Sequence, residues 1–479
     1  MGQFQKPKER LGLVLLILWI ALFIGLRTLQ HDSFGTNACD LSIFDYSLHS
    51  TLHGQLMADP FHSKGWENLF AIHFAPVYFL VLPLYLVHDG PLTLLYLQVL
   101  LVGLTAAFLF LIARHVLKIR WAALAVAAAF LFFRHTLTAL MYDFHQELFF
   151  PLFLLAAYFF LAVKRKPVLY FLFAALALTV KEDMPLYIFF FGLFVAIRLK
   201  EKTLGFVTSA FSLAYLALVL GLIIPAFRAQ EGLAGFNFFL STYAGPQGGF
   251  IQVAWYWLSH PGLLLRGVDF GDLLKKLGDL LFPLLLFPVT TTYGLLLIVP
   301  VVVALASKMP QFYTFGLYYS ATMLPFLFLA LIHGLKAFQD RLAFLKPERK
   351  RKVFAAAVLL LLAVNLANSN FWRIIQPARY RALADHGRVH SLMKRIPDEA
   401  SVAAQSALIP HLAKRRAIFM LPDLGGADYV LVHPGLNPWP YTREEMAPFL
   451  ASLEAEGRYE LLAREGEARL FKKIRMESP

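Results

Sequence analysis

The chain has 479 residues, of which 58% are hydrophobic and 16% charged, against roughly 25% charged in soluble domains. With a mean hydropathy of +0.61, a water-soluble single-core protein is excluded and a polytopic membrane protein is indicated. The net charge of +13 does not indicate a nucleic-acid partner, because Lys and Arg gather in short loops between apolar runs, as they do on the cytoplasmic side of membrane proteins.

Residues 1–10 are polar and basic (Lys6, Lys8, Arg10), and 11–26 run without a charge. That pattern predicts a first membrane helix with its N-terminus inside. Arg27-Thr28-Leu29-Gln30 offers no small residues for cleavage, so the helix reads as an uncleaved anchor. A long outer loop follows over about 29–91. It carries the only cysteine, Cys39, which excludes an internal disulfide and any multi-cysteine zinc or iron–sulfur site. Within it, 74–87 contains Pro76 and Pro83 and is too short to span, which suggests an interfacial or re-entrant helix.

Apolar runs recur at 92–113, 121–141, 148–163, 167–180, 184–197, 204–226, 279–292, 293–307, 317–335 and 353–370. With the first helix they make about eleven spans. The basic clusters Arg114/Lys118/Arg120, Lys164/Arg165/Lys166, Arg198/Lys200/Lys202 and Lys346/Arg349/Lys350/Arg351/Lys352 all fall inside if the spans alternate. No basic loop fixes the turn between 279–292 and 293–307. An odd count puts the C-terminus outside.

Beyond Phe371, Arg, Glu, Asp and Pro return. Strand-like stretches at 401–406, 417–421, 429–432 and 459–463, with amphipathic helices at 379–394 and 443–456, predict a small α/β domain. The expected architecture is an α-helical polytopic membrane domain, 1–372, followed by a soluble extracytoplasmic α/β domain, 373–479.

With this topology the remaining acidic and histidine residues collect on the outer side. The first outer loop holds Asp40, Asp45, His49 and His73, together with Asp32, Asp59 and Glu67, which are expected to sit in water as lone loop charges. Asp143-Phe144-His145-Gln146-Glu147 supplies oxygen and nitrogen donors for a divalent ion such as Mg or Mn. Its i, i+2, i+4 spacing requires a turn in place of a helix face. Lys181-Glu182-Asp183 is wedged between two apolar runs, too tightly to lift three charges far from the bilayer, and is expected to face a polar cavity. Asp40 and Asp45 are spaced for one base and one accessory group more than for a carboxylate pair on one helix face.

Taken in order, the Asp-led outer loop, the Gly54-Gln55 turn, His73-Phe74-Ala75-Pro76 and the acidic motif after the third span resemble the GT-C superfamily of membrane glycosyltransferases over about residues 10–230. Asp40…Ile43-Phe44-Asp45, Asp143-Phe144-His145, Lys181-Glu182-Asp183 and Ala404-Gln405-Ser406…Pro410-His411 look like those of a prokaryotic multi-pass membrane family grouped with these enzymes. The resemblance implies sugar transfer from a polyprenyl-phosphate donor to an extracytoplasmic acceptor in the cytoplasmic (inner) membrane, with inversion. By position it makes Asp40 the base. Asp45, His73, Lys181, Glu182, Asp183, Arg134 and Arg228 become substrate-binding candidates, with Arg266 a further outer cation, and Asp143, His145 and Glu147 metal candidates. Two departures stand out: Asp143-x-His145 replaces two carboxylates, and His73-Phe74-Ala75-Pro76 replaces a Lys-Pro-Pro or His-Pro-Pro motif. Each outer cation also reads as a residue snorkelling among membrane lipids.

Two other readings fit the same residues. A secondary transporter would use intramembrane charges and broken helices as a path, but it would be expected to show inverted repeats. A lipid-binding envelope component would keep the buried polar residues for structure alone.

Overall fold

A computed structural model describes residues 7–59, 61, 68–230, 255–256, 259–260, 262, 269–306, 315–381, 386–415 and 417–474. Glu67 and Arg266 lie outside the described residues. The chain forms two compact units: Met1–Ala21, Ile72–Tyr78 and Gln98–Ile374 in the first, and Leu22–Ala71, Phe79–Leu97 and Ile375–Pro479 in the second.

Five helices among the described residues are long and apolar enough to cross a membrane: Leu11–Asp32, Pro91–Leu117, Gln146–Val163, Lys202–Gln230 and Pro347–Asn368. Arg120–Leu131 and Arg134–Met141 form a sixth if their 47° bend is counted within one span, and Pro167–Leu178, Met184–Ile197 and Thr292–Leu305 are shorter apolar helices. Three of the basic clusters turn the chain through a left-handed residue: Lys118 (φ 57°), Arg165 (φ 52°) and Lys200 (φ 61°). A non-glycine residue there costs roughly 1–2 kcal/mol, and it lets one helix end and the next begin within a few residues. In the first unit, a Cβ on Gly205 would lie 2.4 Å from the Ala196 nitrogen and 2.5 Å from the Gly192 carbonyl. The helices Met184–Ile197 and Lys202–Leu218 therefore meet backbone to backbone, the close approach that small residues four apart allow in lipid.

The structure departs from the expected spans in two places. Residues 279–292 and 293–307 do not form two uninterrupted helices. The helix Phe270–Leu281 gives way to 3-10 turns at Phe282–Leu284, Phe287–Val289 and Thr292–Leu297 before Ile298–Ala306 resumes. Pro283 and Pro288 each remove a helical donor, and Leu285 and Leu286 turn left-handed at φ 52° and 59°. The run expected at 317–335 begins its helix only at Leu324, after turns with Phe315 and Leu317 at φ 51° and 50°. Over 74–87 no helix exceeds five residues.

The second unit is built on a five-stranded sheet of order β2-β1-β3-β5-β4: β1 Val402–Ala404, β2 Ile418–Met420, β3 Tyr429–Val432, β4 Tyr459–Glu465 and β5 Ala468–Lys473. β1 runs parallel to β2 and β3, and β5 is antiparallel to β3 and β4. Alternate residues point to opposite faces. Val402, Ala404, Leu431 and Leu470 join one core with Phe34, Ala38 and Phe61 of the first outer loop and Val389 and Leu392 of the helix His386–Lys394. Ala403, Val430, Val432 and Phe471 join the other, under Met446, Leu450 and Leu453 of the helix Arg443–Ala455. That helix starts in a capping box, Thr442 with Glu445. The C-terminal sheet thus completes its core with residues from the loop after the first helix.

Candidate functional site

In the first unit, three consecutive ionisable residues occupy the short join between Pro167–Leu178 and Met184–Ile197. Pro185 sets the start of the second helix, and the Val77 amide donates to the Thr179 carbonyl (3.1 Å), tying the segment after His73 to this join. Side chains one position apart on a helical turn diverge by about 100°, so the three find different partners. Lys181 Nζ donates to Glu147 Oε1 at 2.8 Å. His73 Nδ1 lies 2.7 Å from Glu182 Oε1. Asp183 lines a cavity of about 20 Å3 with Glu147, Lys181, Tyr187, Tyr319 and Thr322, room for about one water molecule.

All of Glu147, Lys181, Glu182 and Asp183 are buried. Second oxygens of Glu147 and Glu182, and Oδ1 of Asp183, have no protein hydrogen-bond partner among the described residues. Burial raises the Asp183 carboxyl to about 7, with Lys181 opposing the rise and Glu182 and Glu147 adding to it. For Glu182, burial acts upward, but the bonded His73 and nearby Lys181 hold it below the ordinary carboxylate value. Arg228 is buried, with Glu182 among the charges acting on it. Arg134 is exposed at the first residue of its helix.

Asp143-Phe144-His145 forms the non-helical break between Arg134–Met141 and the turn Gln146–Leu148. The His145 ring lies flat on Tyr318 (centroids 3.3 Å apart, 18° between planes), and its Nδ1 donates to the Asp143 carbonyl at 3.0 Å. Glu147 is already paired with the Lys181 ammonium. No three His, Cys, Asp or Glu among the described residues are grouped to hold a metal ion.

Asp40 and Asp45 belong to the second unit. Asp40 is half-buried on the π-helical turn Ala38–Ser42, where the Ala38 amide donates to Ser406 Oγ at 3.1 Å. Asp45 is buried on Ile43–Leu52 and accepts from Tyr85 Oη at 2.8 Å. Burial raises its carboxyl to about 7, against a lowering by Tyr85 and Lys414. Asp32 is exposed as expected, but Asp59 is not a solvated loop charge. It is buried and accepts from the Phe61 amide at 2.7 Å, so its role is to hold a turn.

Several polar groups were not foreseen from sequence. Tyr78 Oη donates to Gln146 Oε1 at 2.6 Å, and Tyr318, Tyr319 and Thr322 reach the site because the helix at Leu324 starts late. The aromatic pair Tyr318-Tyr319, ending in Ser320 within an apolar run, was the available signal. In the second unit His49 pairs with Asp89 at 2.6 Å across 40 positions, a contact without a local signature.

The whole fold is similar to that of ArnT from Cupriavidus metallidurans bound to undecaprenyl phosphate (TM-score 0.52, 11% identity, covering 96% of this chain and 98% of that one). It is similar also to ArnT from the same organism in the apo state (TM-score 0.50, 12% identity, 96% and 97%). At these identities the likeness shows the fold alone, an ArnT-like membrane fold. No curated protein matches the sequence. The family described as "Predicted membrane protein (DUF2079)" matches residues 30–468, so the chain belongs to that family of membrane proteins.

Proposed function

We propose that this protein is an inverting membrane glycosyltransferase that moves a sugar from a polyprenyl-phosphate-linked donor to an extracytoplasmic acceptor. The observation that carries the reading is a self-paired cluster of ionisable side chains, Lys181–Glu147 and His73–Glu182, buried but for His73, within a fold that ArnT uses while holding undecaprenyl phosphate. Buried charges in a membrane protein are costly and are kept where they act. In this reading the protein lies in the cytoplasmic membrane with about eleven spans, its N-terminus inside and the C-terminal sheet outside.

The chemistry assigns roles as follows. An acceptor hydroxyl attacks the anomeric carbon, its proton passes to Asp40, and the bond from that carbon to the phosphate oxygen breaks, leaving polyprenyl phosphate. General-base assistance of this kind contributes roughly 10²–10⁴-fold. The departing phosphate requires preorganised positive charge, a role this reading gives to Arg228, Arg134 and Lys181, while Glu147 holds Lys181, Glu182 holds His73 and Asp183 lines the cavity with Glu147 and Lys181. Asp45 binds substrate beside the base.

The test uses the full chain in nanodiscs. Native mass spectrometry with undecaprenyl phosphate should show a bound lipid for both the parent and Asp40→Asn. Transfer of radiolabelled sugar from undecaprenyl-phosphate-linked donors to membrane acceptors should fall by about 10²-fold or more in Asp40→Asn. Failure of the parent to bind the lipid would remove the reading, and parental turnover in Asp40→Asn would move the base to Asp45.

A further inference from the structure

A cleft of about 560 Å3 opens within the second unit, inside the roughly 300–1,000 Å3 range of small-molecule sites. One wall is formed by Asp45 and the turn His88-Asp89-Gly90, and the other by the segment 410–415 that follows β1. Asp45 is 1% exposed. Its Oδ1 is held by Tyr85, while its Oδ2 has no protein partner among the described residues. A buried carboxylate oxygen left unmatched at the wall of an open cleft is costly unless something else satisfies it.

The cleft's charges are balanced within the protein. Asp89 Oδ2 takes His49 at 2.6 Å, its Oδ1 lies 3.3 Å from Lys414 Nζ, and Lys414 also donates to the Asp89 carbonyl. Arg415 lies 3.6 Å from Asp398 and donates to the carbonyls of Ile396 and Pro397. The His31 and His411 rings stack at 4.1 Å and 15°. Burial, with His31 and His390, pushes His411 down to about 2, so it is uncharged at neutral pH. An anion entering the cleft meets two cations, each already opposed by a carboxylate. Among the described residues the cleft's buried atoms without a hydrogen-bond partner are Asp45 Oδ2, Asp89 Oδ1, which lies 3.3 Å from the Lys414 ammonium, and His411 Nε2, a spread of single groups that many hydroxyls match better than one cation does. What remains are hydrogen-bonding groups in a neutral frame, beside the flat apolar surfaces of Pro91, Pro410 and the histidine stack.

We propose that this cleft is a binding site for a neutral saccharide, with Asp45 Oδ2 and Lys414 Nζ as its hydroxyl partners and the histidine stack against its C–H face. A site built to hydrogen-bond hydroxyls discriminates strongly against ligands that leave its buried groups unpaired. The binding proposal does not require turnover; under the transfer reading, on which this further step rests, the saccharide is the acceptor.

The experiment is saturation-transfer NMR and calorimetry on the full chain in nanodiscs, with lactose, cellobiose and chitobiose as probes and inorganic phosphate as the anionic competitor. At least one disaccharide should bind, phosphate should not displace it, and exchange at 410–415 should slow. Asp45→Asn keeps the Tyr85 bond but turns the free acceptor into a donor, and Lys414→Met removes a half-exposed ammonium with little risk to folding. Each should weaken binding about ten-fold or more. No binding by any of the three sugars, unchanged affinity in both variants, or displacement by phosphate would overturn the proposal. Undecaprenyl phosphate binding without saccharide binding would sink this site alone; the converse would sink the transfer reading alone.

Discussion

In the first unit, Lys181, Glu147, Glu182 and His73 satisfy one another beside a cavity of about 20 Å3, whereas in the second, Asp45, Asp89 and Lys414 line a cleft of about 560 Å3. The residue types are nearly the same. What differs is who provides the partner. In the closed cluster Lys181 is fixed to Glu147 and His73 to Glu182, and although one oxygen each of Glu147, Glu182 and Asp183 lacks a protein partner among the described residues, the cavity there has room for about one water molecule, so a substitution that alters the pairing also alters the fold. In the open cleft one buried oxygen is left to a ligand, and stability and binding separate. Each prediction below tests that contrast.

The largest effect belongs to the closed cluster. Removing one member of a buried ion pair costs about 3–5 kcal/mol, because the remaining charge is left without compensation. Lys181→Met is therefore expected to lower thermal stability in detergent by that amount and to weaken undecaprenyl phosphate binding. The double variant Lys181→Met/Glu147→Gln, which removes both charges, should recover most of the stability but not the binding. A double variant as unstable as the sum of the two single ones would show that the pair is not the energetic unit of the cluster.

Next in size is a pH effect carried by Asp45. Its carboxyl titrates near its ordinary 3.8 when unfolded and near 7 when folded. Between those values the folded protein holds a proton that the unfolded chain has released, so stability falls as pH rises through this window and levels off above about 7. The loss is on the order of a few kcal/mol. Asp45→Asn should match the parent near pH 4, exceed it in stability at pH 8, and reduce the slope between to the share of Asp183, which is also raised to about 7. Parallel unfolding curves for parent and variant across that range would contradict the burial of Asp45 as the source.

The sequence made the closed cluster more legible than the open cleft. Lys181-Glu182-Asp183 interrupts two apolar runs, and an interruption of that kind has few explanations besides a polar interior. Four of the five strands lie where apolar content placed them. β5, Ala468–Lys473, was missed because its only adjacent large apolar residues, Leu470 and Phe471, stand between Arg469 and Lys472-Lys473. The helix starting at Leu324 and the 3-10 turns after Leu281 were misjudged for another reason: hydropathy reports solvent and says little about where prolines and left-handed residues end a helix. The cleft was least legible, because His49 meets Asp89 across 40 positions and Lys414 meets it across 325, and no one of them is unusual where it stands.

A smaller effect distinguishes the rim of the closed cluster from its centre. His73 is a quarter exposed, with Glu182 almost fully buried against it, so His73→Gln keeps a hydrogen-bond donor to the Glu182 carboxylate. Bonds to charged groups contribute about 1.5–3 kcal/mol, and a retained neutral donor should leave a loss of about 1 kcal/mol, well below that of Lys181→Met. A loss as large as that of Lys181→Met, read in the same thermal assay, would mean that Glu182 depends on His73 for its charge and that the cluster has no rim.

The smallest stability change is expected at the open cleft. The Lys414–Asp89 contact joins side chains that are 42% and 28% exposed, and exposed pairs of this kind contribute about 0–1 kcal/mol. Asp89 also keeps His49 at 2.6 Å when Lys414 is removed, so no buried charge is stranded. Lys414→Met should therefore unfold within about 1 kcal/mol of the parent, while its disaccharide affinity falls ten-fold or more. At the closed cluster the ratio is reversed, with stability and lipid binding lost together. If Lys414→Met proved as destabilising as Lys181→Met, Lys414 would be a structural counter-charge for Asp45 and Asp89, and the cleft would be a second closed cluster with a wider mouth.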